Sequence, residues 1–291
     1  MRVSVRTIQE ALATAQSLGL PRLDAQLLLL LSLGKPDSDR AWLLAHDTDV
    51  LLADTVQTFR GLAHRRAAGE PLAYLVGYKE FFGLRFKVDN SVLIPRPDTE
   101  TLVQWALDTV AGLDGNGTPQ VLDLGTGSGA VAICLAHHLK VSVTATDVSE
   151  QALCIARQNA QGLGVDVQFL QSNWLGSVKG RFHLMVSNPP YIAVDDPHLA
   201  ALIHEPLTAL TAGANGLSDL QQIIQQAPGH LLPGGWLLLE HGYDQATAVC
   251  QHLRQRGFVH VQSRMDLAGI ARCSGGQWQQ PNSGIIKDCQ T

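Results

Sequence analysis

The sequence predicts an α/β fold that follows a small helical domain. From Ile94 onward, candidate strands alternate with helical segments, an order typical of a sheet covered by helices on both faces. Residues 7–69 instead carry apolar side chains at three- and four-residue spacing, which indicates amphipathic helices. A third observation is a strand that runs into a glycine-rich turn, from which a helix starts at Ala130. The chain therefore divides into a helical part and an α/β part.

Domain boundaries follow from these changes of pattern. A chain of 291 residues is long enough for two cores, and we expect domains of about 80 and about 200 residues. The helical domain is assigned to residues 1–72 and the α/β domain to residues 94–280. Between them, a partly alternating stretch that ends in a turn signal predicts a β-hairpin linker over residues 73–93. The polar residues 281–291 are predicted to form a disordered tail.

Short apolar runs in the α/β part predict its strands. The candidate strands cover residues 120–124, 141–146, 167–171, 183–187 and 236–240. Because the carboxyl ends of strands in such a sheet meet at one edge, the residues that follow them are candidates for a ligand site.

The composition is that of a soluble globular enzyme, with 45% hydrophobic and 16% charged residues. No segment approaches the roughly 20 apolar residues that span a bilayer. The N-terminus carries Arg2 and Arg6, but no apolar stretch and cleavage site follow them, so we predict no secretory signal. We therefore expect a cytoplasmic protein with no membrane partner.

Charge and cysteine content disfavour two other classes of function. The net charge is -5, whereas proteins that grip a nucleic-acid backbone usually present a clustered positive face. The five cysteines are scattered without the close pairing of a zinc site or redox motif, and the eleven histidines form no ligand-like cluster. We therefore predict no metal and treat nucleic acid as a disfavoured substrate.

The strongest local signal for a cofactor is the glycine turn after the first strand of the α/β part. Residues 121–129 read Val-Leu-Asp-Leu-Gly-Thr-Gly-Ser-Gly, and a helical run over residues 130–139 follows. Glycines at such a turn let the backbone approach a ligand where a side chain would collide. About twenty residues later, the second strand ends at Asp147, where a carboxylate can accept hydrogen bonds from both hydroxyls of a ribose. This pairing predicts a nucleoside cofactor.

The same pairing also serves nicotinamide dinucleotides, and two features favour a methyltransferase over a dehydrogenase. The glycines lie at positions 125, 127 and 129, whereas the dinucleotide fingerprint places its third glycine one position later. Asp123 directly precedes the turn, where it could hold the ammonium end of an amino-acid tail or, alternatively, act as a local cap. Trp174 follows the third strand, where its ring could pack beside an adenine or be part of the core.

The motif Asn188-Pro189-Pro190-Tyr191 follows the fourth strand and is typical of a site that holds an amino group. Successive prolines fix the backbone and remove two donors, so that neighbouring carbonyls can accept from a ligand. If Asn188 Oδ1 and the Pro189 carbonyl accept both N–H bonds of an amide, its nitrogen faces a methyl-sulfonium. Tyr191 would stack on the planar amide group. We therefore predict Asn188, Pro189 and Tyr191 as catalytic, with all four motif residues binding substrate.

These residues resemble amino-group methyltransferases, and a longer set of motifs resembles one branch of them. The segments are Gly69-Glu70-Pro71-Leu72-Ala73-Tyr74, Glu80-Phe81-Phe82-Gly83, Val92-Leu93-Ile94-Pro95-Arg96-Pro97-Asp98-Thr99-Glu100, Glu205-Pro206-Leu207-Thr208-Ala209-Leu210 and Leu237-Leu238-Leu239-Glu240-His241-Gly242. They are similar to the release factor-specific protein-(glutamine-N5) methyltransferases over nearly all of residues 69–276.

The resemblance implies a Rossmann-like, seven-stranded methyltransferase domain that uses S-adenosyl-L-methionine and releases S-adenosyl-L-homocysteine. It implies that the substrate is the glutamine of the Gly-Gly-Gln loop in class 1 peptide chain release factors, which this chain would methylate in translation termination. The cofactor-binding residues that it implies are Gly125, Thr126, Gly127, Ser128, Gly129, Asp147, Trp174 and Asn188. We also expect the helical domain, residues 1–72, to recognise the folded substrate, because a loop alone offers little area.

Alternative substrates are a glutamine of a ribosomal protein and the N6 atom of adenine in a nucleic acid. A third hypothesis is a non-catalytic binding module. The segment 94–100 could line the pocket or form a rigid start of the domain with a cap at Asp98. Gln277 departs from the family pattern, in which this position tends to be basic. It completes a Gly-Gly-Gln triplet, but we do not expect self-methylation because a terminal strand is not a protruding loop.

Overall fold

A computed structural model of the chain describes residues 7–113 and 117–279. These residues form two compact units. The first unit ends at Tyr78, and the second begins at Lys79. The predicted tail over residues 281–291 lies outside the described residues. Among the helices that are described, none is long and apolar enough to cross a membrane.

The first unit is helical. Its helices are α1 Ile8–Ser17, α2 Arg22–Ser32, α3 Arg40–Ala45, α4 Ala53–Ala67 and α5 Leu72–Val76, with a short 3₁₀ helix at Asp37–Asp39. Thr7 starts α1 with a capping box, in which its hydroxyl accepts from the Glu10 amide and the Glu10 carboxylate accepts from the Thr7 amide. Leu28, Leu29 and Phe59 are buried where the helices pack together.

A β-hairpin follows the helices, as the sequence predicts, although α5 occupies the first residues of the segment assigned to the linker. Its strands are β1 Tyr78–Phe81 and β2 Leu84–Lys87. The two residues between them, Phe82 and Gly83, have φ angles of 50° and 76°. Positive φ at both central residues is the geometry of a type I′ turn, whose twist matches that of the hairpin.

The second unit contains the α/β part. Its strands are β3 Val121–Leu124, β4 Val143–Asp147, β5 Val167–Gln171, β6 Phe182–Ser187, β7 Leu231–Glu240, β8 Phe258–Met265 and β9 Ala271–Trp278. Its α-helices are α6 Glu100–Ala111, α7 Ala130–Leu139, α8 Glu150–Leu163, α9 Ser218–Gln226 and α10 Ala246–Arg256. Short 3₁₀ helices lie at Pro97–Thr99, Pro197–Ala201, Leu207–Ala209 and Ala227–Gly229.

Within residues 79–113 and 117–279, seven strands form one sheet in the order β5-β4-β3-β6-β7-β9-β8. The strands from β5 to β7 are parallel, whereas β9 runs antiparallel to both β7 and β8. After β3 the chain proceeds to β4 and β5 on one side and then returns to β6 on the other side. This reversal opens a crevice at the carboxyl ends of β3 and β6, where α/β folds bind ligands.

The sheet is covered on both faces. Val121, Ala145 and Val186 point to one face and are buried against α6 and α7. Their neighbours Leu122 and Met185 point to the opposite face, where α9 and α10 cover them. Burial on both faces explains why β3 and β6 are nearly continuous apolar runs instead of alternating ones. The predicted α/β fold class is confirmed.

Candidate active site

A cavity of about 300 Å³ lies at the carboxyl edge of the sheet, at the reversal of strand order. Its wall is built from the residues that follow β3, β4, β5 and β6, together with parts of the segments 91–99 and 206–209. Of the residues that the sequence predicts for the site, those lining the cavity are Gly125, Thr126, Gly127, Ser128, Asp147, Trp174, Asn188 and Pro190. Gly129, Pro189 and Tyr191 are not in this wall.

The glycines of the turn after β3 differ in what surrounds them. Gly125, Gly127 and Gly129 have φ angles of 70°, 55° and 84°, a region that side chains rarely adopt. A Cβ on Gly125 would lie 3.1 Å from the Trp174 ring, whereas a Cβ on Gly127 would meet no protein atom within 4 Å. A Cβ on Gly129 would lie 2.8 Å from Ile133 Cδ1 and 3.1 Å from Ala156 Cβ. Gly127 therefore borders open space, and Gly129 allows close packing.

Replacing Gly129 with Ala is expected to lower the free energy of unfolding by about 2 to 4 kcal/mol, because overpacking adds to the cost of a positive φ. The matched control is Gly127→Ala, which carries a similar backbone cost without the clash and is expected to lose about 1 kcal/mol. Urea unfolding of both variants measures the difference. Equal losses would contradict a packing role for Gly129.

Asp123 has the geometry of a local cap, one of the two alternatives that the sequence left open. It is 1% exposed, and its Oδ2 accepts from the Thr126 hydroxyl at 2.7 Å and from the Ala132 amide at 3.2 Å. Ala132 is in the first turn of α7, so the carboxylate satisfies an amide that has no partner within the helix. Burial raises the pKa of Asp123 to about 7, although the hydrogen bonds from Thr126 and Ala132 oppose this.

Asp147 lies at the end of β4 and links two parts of the cavity wall. Its Oδ2 accepts from the Gly127 amide at 2.8 Å, and its Oδ1 accepts from the Ser149 amide at 2.9 Å. Burial raises the pKa of this carboxyl, whereas the hydrogen bonds from Ser149 and Gly127 lower it. Because a carboxylate has further lone pairs on both oxygens, Asp147 can still accept hydrogen bonds from a ligand.

Trp174 is half-buried, lines the cavity and has a positive φ of 47°. Its indole Nε1 donates to Asp219 Oδ1 at 3.1 Å, which fixes the plane of the ring. The ring also packs against the backbone of Gly125, where a side chain would push it away. This geometry places an oriented aromatic face in the cavity wall.

The motif after β6 places the polar side chain of Asn188 in the cavity wall. Asn188 Nδ2 donates to the Thr99 hydroxyl at 3.2 Å, which leaves Asn188 Oδ1 available as an acceptor. Pro189 is buried next to it. The Tyr191 hydroxyl donates over a long 3.4 Å to Glu240 Oε1, and burial raises the pKa of this phenol. Tyr191 is further held by Gln245, whose Nε2 donates to the Tyr191 carbonyl at 3.0 Å.

The segment 94–100 lines the cavity, the first of the two alternatives considered for it. Pro95, Arg96 and Thr99 are in the cavity wall. Helix α6 begins without a side-chain capping bond, and Asp98 instead pairs with Arg272 at 3.3 Å. The alternative of a cap at Asp98 is therefore not found. Because Glu205 binds Arg96 and accepts from the Ile94 amide at 3.2 Å, the segment is tied to the loop before residues 206–209.

Comparison with known proteins identifies the family. The family model described as "PrmC N-terminal domain" matches residues 5–77. The family model described as "Methyltransferase small domain" matches residues 109–255. The chain is 51% identical over 263 residues to a release factor glutamine methyltransferase of Bordetella pertussis, covering 89% of this chain and 95% of that protein. A relative of the same name from Vibrio cholerae is 45% identical over 265 residues, covering 89% and 90%.

The chain belongs to the release factor glutamine methyltransferase family. It is therefore an enzyme of the methyltransferase class, as the motifs predicted. Among solved structures, a methyltransferase from Pyrococcus furiosus has a TM-score of 0.52 at 20% identity and covers 75% of this chain and 98% of its own. This structural similarity supports the α/β fold described above.

The structure places further residues at the site to which the sequence pattern assigns no role there. Ser149 and Asp219 line the cavity, and Asp219 orients Trp174, yet no local pattern marks either of them. Thr99 was part of the segment 94–100, but its contact with Asn188 joins residues 89 positions apart. In the sequence, Glu240 is marked only as part of a motif that resembles the family. It is 1% exposed and lies behind Tyr191.

One further sequence feature, Gln277, lies away from the cavity. Gln277 is in β9, between β7 and β8, and its Nε2 donates to the Gly234 carbonyl at 2.9 Å. It is thus part of the sheet, as expected for a terminal strand and unlike a protruding loop. Across the residues that the structure describes, no group of three or more His, Cys, Asp or Glu side chains is placed to hold a metal ion.

Proposed function

We propose that this chain transfers a methyl group from S-adenosyl-L-methionine to the side-chain amide nitrogen of the glutamine in the Gly-Gly-Gln motif of class 1 release factors. The observation that carries this proposal is the hydrogen bond from Asn188 Nδ2 to Thr99 in a cavity that also contains the glycine turn. The bond leaves Asn188 Oδ1 to accept an N–H of an incoming amide. Relatives that are named release factor glutamine methyltransferases support a glutamine of a release factor as the substrate.

The wall of the cavity fits the proposed cofactor. The open space beside Gly127 gives a ligand access to the backbone of the turn. Asp147 would accept from the ribose hydroxyls, and the oriented ring of Trp174 would pack beside the adenine. Thr126, Ser128 and the backbone around them complete the proposed contacts, whereas Gly129 would act by packing. When bound, S-adenosyl-L-methionine supplies a methyl group on a positively charged sulfur.

The protein's contribution to the chemistry would be to position a poor nucleophile. An amide nitrogen reacts weakly because its lone pair is delocalised, so orientation contributes much of the rate. Asn188 Oδ1 would accept one of its N–H bonds and Pro190 would confine the planar group, because both residues line the cavity. A second acceptor at the Pro189 carbonyl and stacking by Tyr191 are proposed from the motif alone, since neither residue lines this cavity. One amide proton is released as the methyl group is added.

The helical unit is proposed to recognise the folded release factor. The sequence prediction ends this domain at residue 72, whereas the compact unit of the structure ends at Tyr78 and includes α5. A tripeptide loop alone buries little area, whereas stable protein contacts typically bury more than about 1,000 Å². A cytoplasmic location, where release factors act, is part of the same proposal.

The test is methylation of a recombinant class 1 release factor with labelled S-adenosyl-L-methionine, with the label located by mass spectrometry. The matched control is the same factor with its Gly-Gly-Gln glutamine replaced by Asn, and we expect label on the first protein alone. A peptide that carries the loop should be methylated with a kcat/KM lower by about 10-fold or more. Equal values for peptide and intact factor would contradict recognition by the helical unit.

Other outcomes would redirect the substrate assignment. If the protein binds the cofactor but leaves the release factor unlabelled, the proposed substrate is wrong. Ribosomal proteins would then be tested next, followed by nucleic acids. If it binds no S-adenosyl-L-methionine, the proposed cofactor site is wrong.

A further inference from the structure

A buried asparagine on α8 joins the glycine turn to the hairpin strand β2. Asn159 is 5% exposed, and its side-chain amide makes three hydrogen bonds to these two segments. The Lys87 amide donates to Asn159 Oδ1 at 2.7 Å, and Asn159 Nδ2 donates to the Lys87 carbonyl at 3.0 Å. Nδ2 also donates to the Ser128 carbonyl at 2.8 Å. The two N–H groups of one side chain therefore bind two separate segments.

The strand β2 determines which way this amide points. A backbone N–H can only donate, and a backbone carbonyl can only accept. The Lys87 amide therefore requires Oδ1 of Asn159, and the Lys87 carbonyl requires Nδ2. The reverse orientation would place Oδ1 against two carbonyls and leave the Lys87 amide facing a donor, which is costly in a buried position. Pairing with β2 thus directs the remaining N–H of Asn159 to the Ser128 carbonyl.

The glycine turn depends on contacts of this kind for its shape. Glycine allows many backbone conformations, so a turn with three glycines in nine residues is restrained mainly by its neighbours. Asp147 holds the turn from β4 through the Gly127 amide at 2.8 Å, and Asn159 holds it from α8 through the Ser128 carbonyl. Ser128 lines the cavity and is 3% exposed. The cavity wall is therefore fixed at two successive residues from two different elements.

The same face of α8 also packs against the end of the turn. Ala156 and Asn159 are three residues apart, so they lie next to each other on the helix surface. A Cβ on Gly129 would lie 3.1 Å from Ala156 Cβ, which shows how closely the helix approaches the turn. Helix α8 thus supports the turn both by packing and by a hydrogen bond.

We propose that Asn159 is a positioning residue for the cofactor, which holds the backbone of the glycine turn in the shape that S-adenosyl-L-methionine binds. This inference rests on the proposed function, and it deepens that function by assigning cofactor affinity to a side chain outside the cavity wall. Because the turn is held before the ligand arrives, less order has to be gained on binding, which raises affinity. The hairpin strand β2 becomes part of the support of the cofactor site.

The test compares Asn159→Asp with wild type in the full chain and uses two control variants. Aspartate has nearly the same shape and still accepts from the Lys87 amide, but when ionised it has no N–H for the Ser128 carbonyl. The first control is Gln158→Ala, because Gln158 is the exposed neighbour that accepts from Lys87 Nζ at 2.6 Å. The second control is Leu253→Ala, which removes a fully buried side chain on α10, a helix that does not line the cavity.

Titration calorimetry with S-adenosyl-L-methionine at about pH 8 measures affinity and the number of sites separately. We expect Asn159→Asp to raise the Kd by about 10-fold with an unchanged number of sites per chain. Both controls should keep the Kd within about 2-fold of wild type, although Leu253→Ala unfolds at a lower urea concentration. A wild-type Kd in Asn159→Asp would overturn the inference. So would an equal rise in Leu253→Ala, because the effect would then follow from lost stability alone.

Amide hydrogen exchange without any ligand separates this inference from the proposed cofactor. A peptide that covers residues 121–133 should exchange several-fold faster in Asn159→Asp than in wild type, because the turn has lost a restraint. A peptide that covers β2 should keep its rate, since the Lys87 amide keeps its acceptor. If the wild type binds no S-adenosyl-L-methionine, the proposed cofactor site is wrong, and faster exchange would still support Asn159 as the residue that holds the turn. Equal exchange of the turn in both proteins would overturn the inference whatever the ligand is.

Discussion

Replacing Asn188 with Ala is expected to lower kcat for methylation of the release factor by about 100- to 1,000-fold. The substitution removes the acceptor that would orient the substrate amide, and orientation is the main source of rate when the nucleophile is weak. Asn188 is half-buried at the cavity wall, and its hydrogen bond to Thr99 is an internal one. The fold should therefore tolerate the change, with a loss of about 1 to 3 kcal/mol in unfolding free energy.

Single-turnover labelling with S-adenosyl-L-methionine measures this effect, and circular dichroism checks the fold. Gln255→Ala serves as a matched control, because Gln255 is exposed on α10. The control should keep wild-type kcat. If Asn188→Ala retained more than about a tenth of wild-type kcat, the proposed role of Asn188 would be refuted.

The second large effect is expected in the way the free energy of unfolding depends on pH, and it is assigned to Glu240. Burial raises the pKa of Glu240 from its usual 4.5 to about 7 in the folded protein. When the pKa of a carboxyl is raised in the folded state, its contribution to the free energy of unfolding is greatest below pH 4.5, where the group is protonated in both the folded and the unfolded state. This contribution is lost as the pH rises from 4.5 to about 7, because the unfolded state gives up the proton more readily. The loss corresponds to about 3 kcal/mol, because each pKa unit is worth about 1.4 kcal/mol. Glu240→Gln removes the titrating group and hence this loss.

The stability of Glu240→Gln relative to wild type should therefore improve by about 3 kcal/mol between pH 4.5 and pH 8. The neutral variant still carries a buried amide, so the absolute difference at one pH depends on how that amide is paired. Urea unfolding of both proteins at several pH values isolates the pH-dependent part, since other titrating groups, including Asp123, are shared. A constant difference across this range would show that Glu240 ionises normally in the folded protein.

The sequence by itself determined the fold class, the family and the motifs that form part of the cavity wall. The glycine turn, Asp147 and the motif at Asn188 each depend on a few consecutive residues at the end of a strand. Because strand, turn and helix patterns are local, they can be read without knowledge of contacts. Parallel strands then bring their carboxyl ends to one edge, so that separate motifs fall into one cavity.

Only the tertiary structure decided how individual residues serve the site. It shows Asp123 as a cap within the turn, Gly129 as a packing residue and Asp98 as the ion-pair partner of Arg272. It also brings Thr99 to Asn188 and Glu240 to Tyr191 across 89 and 49 residues of chain. Such contacts depend on strand order and on which face each side chain points to. A sequence pattern does not specify these distances, because they are set by the packing of the whole sheet.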